Sequence, residues 1–331
     1  MLRIPAQAGL VWIAVMILCQ GLMGCTASIN KKNIQGERAY TKKMDIWAGG
    51  FRRSYRVHVP KGYSPETALP LVVVIHGAFS TAKEIEKETG FSLLADHEDF
   101  VVLYPNGMGI FGFLQHWNAG HCCGKAAADN IDDVGFVLAA IEDVCILLNV
   151  DRSRIYMVGF SNGGMLTYRF GAEHSQMVAA VAPLAASIGG KPSPESTGWR
   201  IPSPELPLPI IIFHGMADDN VPYTGGSVKG KPKGRQYFSV DESVGFWVKH
   251  NGCKTPSLVR DLYHGSVNQE IWNNCKNGSE VQLYTLKNWG HVWAGKHFTA
   301  ELDVDNPIKG FDAAEIIWQF FKPYLRGLSL D

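Results

Sequence analysis

This 331-residue chain predicts an α/β architecture: a mostly parallel central sheet with helices on both faces. Three observations predict it. Apolar runs alternate with segments whose apolar residues recur every three or four positions. Several runs are continuously apolar, as in parallel strands covered on both faces. The third is a serine between glycines, Gly159-Phe160-Ser161-Asn162-Gly163, at the junction of one such run and a helical pattern. Strands joined through helices imply right-handed crossovers, and a 46% hydrophobic composition suffices for a large core.

At the N-terminus, a lone Arg3, an apolar stretch from Leu10 to Leu18 and small residues near Cys25 have the layout of an export signal over 1–24. Gln20 and Gly21 interrupt the stretch before it reaches the ~20 residues that a spanning helix needs. Leu22-Met23-Gly24-Cys25 resembles the bacterial lipoprotein box, which makes Cys25 a lipidation candidate and a lipid anchor there the one expected membrane contact; cleavage near Ala27 is the alternative. Residues 25–45 are polar and read as a tether, with one α/β domain over 46–328.

Within that domain the runs 55–60, 70–77, 99–105, 154–160, 178–185, 209–215 and 280–286 read as strands. Segments 132–148, 162–174, 239–250 and 312–325 carry helical spacing. Two long stretches break the alternation. The Gly- and aromatic-rich 105–130 leaves the sheet where open α/β sheets bind ligands, and reads as a lid or pocket wall. The Pro- and Ser-rich 187–209 reads as a solvated excursion, and so does the Lys/Gly loop 225–237, for which contact with an anionic polymer is the alternative.

Composition narrows the partners. Lys plus Arg and Asp plus Glu both number 31, and removing 1–24 takes away only Arg3 among the charges, so no field for nucleic acid is present. A substrate must be held by shape, apolar contact and local hydrogen bonds. Of seven cysteines, Cys253 and Cys275 flank a polar, turn-rich insertion and are expected to be bridged. Cys122, Cys123 and Cys145 cannot all pair, and Cys145, in an apolar helical pattern, is the candidate free thiol. Adjacent Cys122 and Cys123, with His116 and His121 nearby, fit a metal poorly because neighbouring thiolates cannot both face one ion; a structural role is expected, and no metal or cofactor.

The serine carries the chemistry. G-x-S-x-G between a strand and a helix is the context of a nucleophile elbow, where flanking side chains would clash with a sharp turn. A serine needs a base to take its proton and a group to orient that base. Past the strand 209–215 stand Asp218 and Asp219, and past 280–286 stands His291, so the order Ser, acid, His is met. Asp218 is favoured, with Asp219 the alternate. Oxyanion donors are expected at the N–H of Asn162, which follows the nucleophile, and of Ala78, which follows His76-Gly77. Phe111, Phe113, Trp117 and Trp293 are candidate walls of an acyl pocket, with core packing as the alternative.

With these residues in place the chain resembles the polyhydroxybutyrate depolymerase/feruloyl esterase group of α/β-hydrolases, secreted serine esterases related to the first carbohydrate-esterase family. The motifs are VVVIHGA (72–78), WNAGHCCG (117–124), NIDDVGF (130–136), YMVGFSNGGM (156–165), HGMADDNVPY (214–223) and GHVWAG (290–295). The resemblance implies an α/β-hydrolase fold and hydrolysis of carboxylic esters without a cofactor. It also implies acetyl, feruloyl or short polyester substrates derived from polymers. It places the acid three residues after the HG glycine and ahead of Val-Pro, at Asp218. Many relatives have Pro after the Trp of G-H-x-W; Ala294 stands here, so substrate preference does not carry over through that loop. The expectation is an exported serine esterase whose activity falls as acid protonates His291. A peptidase or acyltransferase on the same fold and a non-catalytic polysaccharide-binding lipoprotein are the alternatives.

Overall fold

A computed structural model describes residues 38–110, 112–228, 230–254, 258–295 and 308–327. Ten strands form its main sheet: β1 Tyr40–Ala48, β2 Phe51–Val59, β3 Leu69–Ile75, β4 Val101–Pro105, β5 Val150–Phe160, β6 Ala180–Leu184, β7 Ile210–Gly215, β8 Leu258–Leu262, β9 Val267–Trp272 and β10 Val281–Leu286. Their order is β1-β2-β4-β3-β5-β6-β7-β10-β9-β8. The six central strands, β4 to β10 in that order, run parallel, and an antiparallel pair flanks each side.

The continuously apolar runs are buried on both faces. In β3, Leu71, Val73 and Ile75 enter one core cluster while Val72 and Val74 enter the other. Helices Asp133–Leu147, Asn162–Glu173, Val240–His250 and Ala313–Phe321 stand where the spacing predicts. The chain is therefore an α/β-hydrolase in architecture, with the loops after β3, β5, β7 and β10 at one edge of the parallel sheet.

Three differences from the sequence reading have physical reasons. Residues 40–45 are strand, not tether: β1 is an edge strand with alternating half-exposed residues, so its polar composition hides it. Helices Ala82–Thr89 and Phe91–Glu98 occupy a stretch read without structure, the first capped by Thr81, whose hydroxyl accepts from the Glu84 N–H at 3.3 Å. The polar insertion holds the hairpin β8–β9, again at a sheet edge. At its base the Cys253 and Cys275 sulfurs lie at disulfide distance, and Cys145 is unpaired. Residues 1–37, with Cys25 and the export signal, lie outside the described residues.

Candidate active site

Ser161 caps the end of β5 at φ 55° and ψ −121°, outside the regions side chains prefer. The flanking glycines make this turn possible. A Cβ at Gly159 would strike the Gly163 carbonyl and the Thr167 hydroxyl, and one at Gly163 would strike the Ile75 and His76 carbonyls. The Ser161 N–H donates to the Leu184 carbonyl at 2.9 Å, tying the elbow to the end of β6.

The expected partners meet the hydroxyl. His291 Nε2 lies 2.7 Å from Ser161 Oγ, and His291 Nδ1 lies 2.7 Å from Asp218 Oδ2. Since a carboxylate only accepts, Nδ1–H donates to Asp218 and Nε2 is left to accept from the serine. Asp218, buried to 4% exposure, is held on all sides. Its Oδ1 accepts from the N–H groups of Asn220 and Val221 at 2.8 Å each. Burial pushes this carboxyl up, but bonding to His214, His291 and the Val221 N–H outweighs it and holds Asp218 well below the usual carboxylate range. Asp219, the alternate, is exposed, and the 2.7 Å contact to His291 Nδ1 belongs to Asp218.

The His76-Gly77 turn packs against the elbow: a Cβ at Gly77 would lie 3.3 Å from Ser161 Cβ. Ala78 and Asn162 line one cavity with Ser161 and His291, about 520 Å³ in volume. Asn162 starts a helix, so its N–H has no acceptor one turn back. Its side chain is clamped, Oδ1 accepting from the Trp117 N–H at 2.8 Å and Nδ2 donating to the Trp117 carbonyl at 3.1 Å.

The bracing roles of two histidines are not evident from the sequence. Buried His76 donates from Nδ1 to the Gly77 carbonyl at 2.7 Å and accepts the Gly107 N–H on Nε2 at 3.0 Å. Burial pulls its pKa down to about 4, so the ring is a neutral brace for the turn that presents Ala78. His214 Nε2 donates to the Val221 carbonyl at 2.8 Å, locking the loop that carries Asp218. Each directly precedes a glycine at the end of a parallel strand, a repeated His-Gly that could have pointed to them.

Comparison with known proteins places this geometry. Residues 53–193 match the family described as Esterase PHB depolymerase. Feruloyl esterase B of Piromyces equi is 31% identical over 244 residues, 72% of this chain and 42% of that protein. The chain belongs to this esterase family. The poly(3-hydroxyalkanoate) depolymerase C of Paucimonas lemoignei is 24% identical over 71% of this chain and 57% of its own length. The chain thus spans about half the length of these relatives. An acetyl xylan esterase from Aspergillus awamori matches in structure with TM-score 0.60 over 85% of this chain and 99% of its own, at 14% identity, a likeness of fold.

The family motifs WNAGHCCG and NIDDVGF meet beneath the elbow. Asp132 caps its helix, accepting from the Gly135 N–H at 2.8 Å. Fully buried Asp133 accepts from the Asn118 N–H at 2.7 Å and pairs with Arg53 at 2.7 Å. Burial pushes the Arg53 guanidinium down and the Asp133 carboxyl up, against the pull of their pairing.

The expected pocket walls need correction. Trp117 is fully buried, and its Nε1–H donates to the His76 carbonyl at 2.9 Å, so it braces the turn from below. Trp293 is buried behind Phe160, centroids 6.4 Å apart, and Phe160 lies against the His291 ring at 5.1 Å. Phe113 is exposed on the strand Phe113–His116, away from the cavity lining, and Phe111 lies outside the described residues. Aromatic type alone points to a pocket wall, whereas hydrogen bonding and packing put Trp117 and Trp293 in the core, the alternative named above. The stretch 105–130 does contribute walls, through His116, Cys123 and Gly124. The sulfurs of adjacent Cys122 and Cys123 lie against each other, a pairing the sequence leaves open. Both stretches read as solvated supply a small sheet instead: Trp199–Arg200, Gly189–Lys191, Gln236–Tyr237 and Gly226–Ser227, in that order. From it and its adjoining loop, Val228, Lys231, Arg235 and Tyr237 face the cavity.

Proposed function

We propose that the protein is a carboxylic ester hydrolase acting through an acyl-enzyme on Ser161. The pair of 2.7 Å contacts linking Ser161, His291 and Asp218, opening into a cavity of about 520 Å³, carries this reading. Ser161 Oγ attacks the ester carbonyl carbon while His291 Nε2 takes its proton. Asp218 stabilises the imidazolium and fixes its tautomer. The carbonyl oxygen, now an oxyanion, accepts from the N–H groups of Ala78 and Asn162, an interaction worth about 3–4 kcal/mol per donor in comparable sites. Collapse expels the alcohol, which leaves with the proton from His291. Water then attacks the acyl-enzyme with His291 as base, releasing the acid and restoring Ser161.

Feruloyl or acetyl esters of plant polysaccharide, or short polyhydroxyalkanoate links, are the substrate class that the named relatives support. The working location is the cell envelope, reached by export and held by a lipid at Cys25, on the strength of Arg3, the Leu10–Leu18 run and the LMGC box.

A fluorophosphonate probe is expected to label the peptide holding Ser161, and Ser161→Ala to abolish labelling and lower kcat on 4-nitrophenyl acetate at least about ten-thousand-fold. An unlabelled protein would mean that the fold only binds. Expressed in a bacterial host, the labelled protein is expected in the membrane fraction, and Cys25→Ser to release it; membrane retention of that variant refutes the anchor.

A further inference from the structure

The proposed mechanism uses one side of the cavity, and the roof opposite has charge that the mechanism leaves idle. Arg235 and Lys231 both line the cavity that holds Ser161 and His291. Among the described residues lining it there is no aspartate or glutamate. Arg235 is half-buried, its Nε is buried without a hydrogen-bond partner, and its Nη1 reaches the Cys123 sulfur at 3.7 Å. No described salt bridge engages it. The nearby imidazoles of His116 and His121 are pushed toward their neutral forms, chiefly by burial and further by Arg235 itself.

A guanidinium half out of water without a carboxylate is costly, and elsewhere the same chain pairs its buried cation, Arg53, with Asp133. The roof position is held by backbone pairing of Gln236–Tyr237, next to Arg235 in sequence, to Gly189–Lys191 on one side and Gly226–Ser227 on the other, so the charge adjoins an inner strand of the small sheet. A planar fork with free N–H donors facing a concave, otherwise carboxylate-free wall is a receptor for a carboxylate.

We infer that the cavity selects esters that carry a carboxylate, with Arg235 as the specificity residue and Lys231 in support. The inference rests on the esterase reading and names its substrate class more narrowly. The carboxylate has two possible sources, the acyl part (a dicarboxylic half-ester) or the alcohol part (a uronic or aromatic acid bearing the acylated hydroxyl).

Two matched pairs distinguish them: 4-nitrophenyl hemiadipate against 4-nitrophenyl hexanoate for the acyl side, and 3-acetoxybenzoate against 3-acetoxytoluene for the alcohol side. In each pair a methyl group replaces the carboxylate while the leaving group is kept alike. One charged ester is expected to exceed its neutral mate in kcat/KM by at least about ten-fold, the scale of one charge-assisted contact. Arg235→Gln is expected to erase that ratio, Arg235→Lys to keep part of it, and raising salt from about 20 mM to about 0.5 M to shrink it. Arg235→Lys preserves the charge and serves as the control for folding. Neutral esters hydrolysed with no preference for charge, or a preference that survives Arg235→Gln, overturns the inference and leaves the esterase reading standing. Absence of all hydrolysis, with Ser161 unlabelled, overturns both.

Discussion

The floor and the roof of the cavity are built on opposite principles. Beneath Ser161, Asn162 is clamped to Trp117, Trp117 to His76, and Asn118 to Asp133, which pairs with Arg53, nearly all of it out of water. Above it, four short strands of two or three residues carry Val228, Lys231, Arg235 and Tyr237 on partly exposed loops. The difference separates two demands. Proton transfer tolerates little misplacement, so its supports are buried and mutually satisfied. Substrate choice requires a surface that can vary without disturbing that geometry, so it is placed on elements that contribute little to the core.

The largest expected effect therefore falls in the floor. Asp133→Asn leaves Arg53 charged and buried with no carboxylate, and should cost about 3–5 kcal/mol of unfolding free energy. Replacing both, Arg53→Met with Asp133→Asn, should recover part of it, because the unpaired charge is gone. Urea unfolding of the two variants checks this. If Asp133→Asn instead lowers turnover at unchanged stability, the floor acts on chemistry and the contrast with the roof fails.

Acid should weaken the floor next. Burial holds His76 at a pKa of about 4 and, with help from Arg235, His121 at about 3. An unfolded chain takes up these protons below about 6.5, while the fold refuses them. Stability that is complete above that pH is lost as it falls, at up to about 1.4 kcal/mol per unit for each group. Asp218, held low, adds to the loss only further into acid, and Glu88 and Asp133, pushed up by burial, act in the opposite sense. His121 stacks beside Trp199 at 5.8 Å, so His121→Phe keeps an aromatic ring there and removes one titrating group. Urea unfolding between pH 7 and pH 5 should show a flatter acid limb in that variant. An unchanged slope would mean that His121 does not couple folding to protons.

The same division explains what was legible in the sequence. The parallel strands, the elbow and the order Ser161, Asp218, His291 were readable because burial on both faces demands continuous apolar runs and a tight turn demands glycine. The roof was not, since strands of two or three residues leave no periodicity, and Gly225, Gly226 and Gly234 look like any solvated loop. Edge strand β1 and hairpin β8–β9 were lost in the same way, their alternation diluted by charges suited to an exposed edge. Trp117 and Trp293 failed for another reason: an aromatic type does not tell a pocket wall from the brace behind it.

The smallest effect tests the contrast most directly, because it compares one substitution in two places. Val73 of β3 is fully buried, whereas Val228 is partly exposed on the roof and lines the cavity. Val73→Ala removes two core methyl groups and should cost about 2 kcal/mol, with the ratio of kcat/KM between acetyl and longer acyl esters preserved. Val228→Ala should stay within about 0.5 kcal/mol of the parent in stability while moving that ratio a few-fold, since it enlarges the space opposite Ser161. Calorimetry and the two-ester ratio separate the outcomes. Should Val228→Ala unfold the protein as readily as Val73→Ala, the roof is part of the core, and the two-ester ratio and stability cannot be altered independently in this protein.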